Sequence, residues 1–254
     1  MIKKQTKMEK WFDPKFEKNY RRYTKRQLRP NFFEGIYRKF SLTTWIIIVN
    51  IFVFIFASIF VGIFGADKVY SVIALQSNAF FNGVYWTLLT SMFMHANFTH
   101  IFVNMVSLFF IGNFVEKLIG RKRLFWLYLL AGLVAGLFFV ILSHFFGNTD
   151  LGARIFGSPE VFAVGASGAI FALGGLLAVL TPKLRVYVFF IIPMQMWFAM
   201  IVLLVVMWAA SVGADLPLGN TAHLGGLLVG VVYAIYLKRK YQRKTQLIAK
   251  YFSG

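Results

Sequence analysis

The chain has 254 residues, of which 59% are apolar and only 14% charged, and it contains no cysteine. Soluble domains average about 45–50% apolar and about 25% charged residues, so this composition excludes an ordinary soluble domain, a disordered chain, a disulfide scaffold and every cysteine-nucleophile mechanism. The net charge of +18 sits at the ends: residues 1–40 hold 13 Lys/Arg against 4 Asp/Glu, and residues 238–250 hold six with no acid. Basic ends on an apolar body indicate a multi-pass membrane protein, and no nucleic acid is needed as a partner.

In chain order, the first region is a basic segment, 1–41, studded with Trp11, Phe12, Phe16, Tyr20, Phe32, Phe33 and Tyr37. It reads as a cytosolic segment lying on anionic lipid, where each basic residue contributes about 1 kcal/mol. A solvated tail and a small cytosolic domain are the other readings. No stretch before Leu42 has the apolar core of a signal peptide, so the first span is expected to stay as an anchor. A membrane domain over 42–237 and a basic cytosolic tail over 238–254 follow.

A span needs roughly 20 apolar residues. Six stretches qualify: Leu42–Phe64, Met92–Phe114, Leu124–Phe146, Val161–Leu180, Tyr187–Ala209 and Thr221–Leu237. The connections alternate in charge. One set of compartments holds 25 Lys/Arg and the other holds two, Lys68 and Arg154. The positive-inside rule then places both termini in the cytoplasm. The compact body suggests a prokaryotic plasma membrane. No internal repeat and no charge inside a span supports a transporter.

Polar residues within spans are costly and mark functional hypotheses. The second span carries His95, His100 and Asn104, the last two one turn apart on a shared face. The fourth opens with Gly165-Ala166-Ser167-Gly168. The sixth opens with Ala222-His223 and continues with Gly226, Gly230 and Ala234 at four-residue spacing. Each group has a structural reading: interhelical hydrogen bonds for the histidines and close helix packing for the small residues. The sixth-span stripe would bring that helix against the small-faced fourth, with Ser167 and His223 near the outer ends of touching helices. By depth, His100, Ser167 and His223 all fall in the outer half of the bilayer. No metal is expected, since the two histidines are five apart and no His-Glu-x-x-His occurs.

Together, His95-x-x-x-x-His100-x-x-x-Asn104, Gly-Ala-Ser167-Gly and Ala222-His223-x-x-Gly226 resemble the rhomboid family of intramembrane serine proteases. The stretch from Trp86 to His95 resembles the family's approach to its second span. The resemblance implies an all-α, six-helix rhomboid-like bundle over 42–237 and no cofactor. It makes Ser167 the nucleophile, His223 its general base, and His100 and Asn104 oxyanion partners beside the Ser167 N–H. It makes His95 a structural histidine, Gly165 and Gly168 parts of the catalytic motif, and Phe171 the aromatic packed on the catalytic histidine. Gly226 belongs to the sixth-span motif.

Two departures stand out: Trp86-Thr87 where the family often has Trp-Arg, and Phe171 where many members have Tyr. Asp215 is the nearest acid to His223 in sequence, and a Ser–His dyad without it is expected. Implied partners are single-pass transmembrane substrates, cleaved near their outer boundary, and membrane lipids. The resemblance also makes the fifth span, near Trp197 and Phe198, a candidate lateral gate. The alternative is a non-catalytic relative that binds or escorts membrane proteins.

Overall fold

A computed structural model describes residues 39–188, 191–214, 216 and 218–252. The aromatic and basic positions expected to lie on lipid in residues 1–38, and Asp215, fall outside the described residues. The membrane body is almost entirely helical. Helix α1 (Leu42–Phe64) coincides with the first expected span. Three short helices then fold in the loop that follows: α2 (Ala66–Ile73), α3 (Ser77–Phe81) and α4 (Thr87–Thr90). Next come α5 (Phe98–Ile119), α6 (Arg121–Phe146), α7 (Asp150–Phe156) and α8 (Ser167–Leu180). A two-stranded antiparallel hairpin, β1 (Arg185–Val188) and β2 (Ile192–Gln195), leads into α9 (Met196–Ala214), α10 (Asn220–Lys240) and α11 (Gln242–Tyr251).

Five of these helices, α1, α5, α6, α9 and α10, are long and apolar enough to cross a membrane. The fourth expected span is a helix of only 14 residues, α8. Residues 161–166 were expected to be helical. They form an irregular segment instead, in which Ala163 exchanges both backbone hydrogen bonds with Leu75. The second span starts later than expected, because Asn97 caps it by accepting the His100 N–H at 2.9 Å. It also runs on to Ile119 through one π-helical turn at Leu108–Gly112. Glu116 therefore lies inside a helix expected to end at Phe114. The fifth span begins at Met196, not Tyr187, since 185–195 form the hairpin.

Glu116 holds α1 in place. Its two carboxylate oxygens accept the Leu42 and Thr43 N–H groups at 2.8 and 2.9 Å, and the Thr43 hydroxyl at 2.9 Å. A negative charge on unpaired N-terminal amides is favoured by the helix dipole. The centre of the body is α8, whose residues from Gly168 to Leu177 are buried apart from Phe171. It packs against α10 at backbone distance. A Cβ on Gly226 would collide with the Gly168 carbonyl, and one on Gly230 with that of Ala172. The small-residue stripe of the sixth span thus meets the fourth helix, as its spacing implied.

Candidate active site

Ser167 is the first residue of α8, so its N–H and those of its first turn lie outside the helical ladder. Two features fix this start. Gly165 adopts φ +122°, a conformation that favours glycine, and its N–H donates to the Ser91 carbonyl at 2.9 Å. The loop ahead of α5 thereby anchors the turn into α8.

His223 lies in the first turn of α10, and its Nε2 is 2.8 Å from Ser167 Oγ. Its ring is stacked on Phe171, with centroids 4.5 Å apart and planes within 20°. Phe171 is one turn beyond Ser167 on α8, so a single helix presents both the hydroxyl and the surface against which the imidazole rests. His223 is 4% exposed, and its Nδ1 has no hydrogen-bond partner among the described residues. The close approach of α8 and α10 sets this pairing. Gly226, one turn from His223, touches the backbone of Gly168 beside the serine.

His100 faces the same turn. The position a Gly165 Cβ would occupy is 2.8 Å from His100 Nε2 and 3.8 Å from Ser167 Oγ. The missing side chain leaves room between the two. Asn104 follows one turn later on α5, is buried, and donates its amide to the His100 carbonyl at 2.9 Å. That bond orients Asn104 toward its own helix. His95 sits in the loop before α5, buried, with its ring edge-on to His100 at 5.1 Å. Burial, and then the neighbouring His100, push its pKa down to about 4, which keeps it neutral at pH 7.

Ser167, His223, Phe171, Gly165, His100 and His95 thus converge, although they come from separate segments. Ser167 and His100 each lie nearer a helix start than the expected spans implied. Trp197 and Phe198 do not join them. They occupy the first turn of α9, which follows the hairpin from the far end of α8, and α8 is roughly 20 Å long. The other end of α9 is tied to α7: Trp208 Nε1 donates to the Ile155 carbonyl at 2.9 Å and the Ser211 hydroxyl to that of Arg154 at 2.9 Å.

The Trp86-Thr87 departure is absorbed locally. Thr87 is fully buried and donates to the Val84 carbonyl at 2.6 Å, while Trp86 Nε1 donates to that of Val72 at 2.9 Å. Sequence reasoning missed Asn97 and Glu116. Asn-x-x-His ahead of an apolar run was a legible capping signal for the first. Nothing local marked the second, whose partners are more than 70 residues away.

Comparison with known proteins identifies the family. Residues 82–240 match the family model described as the Rhomboid domain. The chain is 29% identical over 174 residues to Rhomboid protein 1, mitochondrial, of Saccharomyces cerevisiae, covering 65% of this chain and 47% of that protein. It is 26% identical over 208 residues to Rhomboid protease AarA of Providencia stuartii, covering 77% and 72%. It is 35% identical over 72 residues to Inactive RHOMBOID-like protein 8 of Arabidopsis thaliana, covering 28% and 20%. The chain spans about half the length of the yeast protein, and similarly of RHOMBOID-like protein 5 of Arabidopsis thaliana. A family match across more than half the chain, on a multi-pass helical body, establishes that this chain belongs to the rhomboid family.

Proposed function

We propose that the chain is an intramembrane serine endopeptidase that cleaves transmembrane segments of single-pass proteins near their outer boundary. The observation that carries this reading is the 2.8 Å contact between His223 Nε2 and Ser167 Oγ, with the imidazole stacked on Phe171. A serine hydroxyl becomes an effective nucleophile when a base takes its proton. In this reading neutral His223 accepts the Oγ proton as Oγ attacks the scissile carbonyl carbon. It then returns that proton to the leaving amine nitrogen as the C–N bond breaks. Water, activated by the same imidazole, hydrolyses the acyl-enzyme. The developing oxyanion is assigned to the Ser167 N–H and His100, with Asn104 one turn behind; one such donor is typically worth about 10²–10³ in rate. A triad's acid normally orients the imidazole. Here Phe171 takes that orienting role by stacking.

The basic asymmetry supports an orientation with both termini in the cytoplasm and the dyad in the outer half of the membrane, and the compact body supports a prokaryotic plasma membrane as its location. In this reading the exposed apolar helix faces meet membrane lipid, and the substrate must present unwound backbone, since a helical carbonyl is already hydrogen-bonded.

The test is covalent labelling. Purified full chain in liposomes is treated with a fluorophosphonate probe, and the adduct is mapped by mass spectrometry. An adduct on Ser167 that is lost in both Ser167→Ala and His223→Ala is the expected result. Folded protein that takes no label overturns the reading in favour of a non-catalytic binder of membrane proteins.

A further inference from the structure

Away from the dyad, α6 and α10 run antiparallel and leave between them an apolar groove of about 450 Å³. Its walls include Val134, Phe138, Leu228, Val232, Tyr233 and Tyr236. At the end where α6 begins and α10 finishes, the groove meets a cluster of a different character. Lys240 Nζ donates to the Tyr236 hydroxyl at 2.8 Å, and Arg123 Nη2 donates to the Tyr241 hydroxyl at 2.9 Å. The Arg123 guanidinium also lies 5.0 Å from the Tyr241 ring centre, and Lys240 Nζ 5.3 Å from that of Tyr236.

This cluster has donors in excess. Each phenol accepts from a cation, so its own proton remains to be given away. Among the described residues, neither Arg123 nor Lys240 is paired with a carboxylate. Two uncompensated charges and two spare phenolic protons, at the mouth of a wholly apolar groove, suit an amphiphile with a negative head. Charge complementarity selects the head, and the groove selects the chain. We propose that this groove binds one anionic phospholipid, with its phosphate held by Arg123, Lys240, Tyr236 and Tyr241 and an acyl chain lying along Val232 and Leu228. The site is independent of the proposed catalysis.

Native mass spectrometry of the full chain in detergent, titrated with phosphatidylglycerol or phosphatidylcholine, tests it. The expected result is a first phosphatidylglycerol adduct at least about tenfold tighter than phosphatidylcholine. That preference should vanish in the double variant Arg123→Gln/Lys240→Gln. Val232→Trp and Leu228→Trp, both at lipid-exposed positions, should each abolish the adduct by filling the groove. Arg243→Gln/Lys244→Gln, on the exposed face of α11, should leave it intact. Equal loss in that last variant would mean diffuse electrostatic attraction and would overturn the proposal. So would undiminished binding in both groove-filling variants, or displacement by soluble glycerol phosphate at matching concentration.

Discussion

At the residue scale, Gly165 carries more of the site than its size suggests. It supplies a backbone angle of φ +122°, leaves the space beside His100 Nε2 open, and ties its N–H to Ser91. Gly165→Ala imposes strain of about 1–3 kcal/mol and pushes a methyl group into the His100 ring. A displacement of about 1 Å at reacting groups typically costs about 10²-fold in rate. The rate of fluorophosphonate labelling at Ser167 should therefore fall by about 10²-fold while the protein remains folded. A variant that labels at close to the parent rate would show that His100 and the loop have no part in presenting the serine.

At the element scale, the site is a property of the α8–α10 contact. Ser167 and His223 are on different helices, and what brings them within 2.8 Å is the absence of side chains at Gly226 and Gly230. Overpacking such a contact costs typically about 1–3 kcal/mol. Gly230→Leu, two turns from the dyad, should lower the melting temperature in detergent and also suppress labelling of Ser167, because the helices must part. Gly62→Leu on α1, where a side chain would meet open space, should change neither. Equal behaviour of the two variants in thermal melts and labelling would remove the α8–α10 contact as the determinant.

At the scale of the whole molecule, the orientation proposed from charge can be tested directly, because the chain has no cysteine of its own. Asn148→Cys and Lys183→Cys each place a single thiol at an exposed loop position on either side of α8. In intact cells a membrane-impermeant maleimide should react with the first variant and reach the second only after permeabilisation. The reverse pattern would invert the molecule and move the dyad to the cytoplasmic half.

Composition and apolar run length sufficed for the helical membrane body, since a span is a local property of about 20 residues; α1 lies where its sequence placed it. The spacing of Gly226, Gly230 and Ala234 likewise predicted which helix meets α8, because a helix face is set by periodicity. Boundaries were less legible. Residues 161–166 are apolar enough for a helix, yet they stay non-helical because Leu75 and Ser91 offer Ala163 and Gly165 hydrogen bonds that only the folded loop supplies. The hairpin before α9 hid within an apolar stretch for the same reason: length and hydropathy do not distinguish strand from helix. Sequence by itself determined a multi-pass helical protein of the rhomboid family and marked the polar residues that lipid would not tolerate without a reason. The tertiary structure decided that Ser167 opens its helix, that Ala163 pairs with Leu75, and that Glu116 caps α1. These are contacts between residues distant in the chain, and no local pattern encodes them.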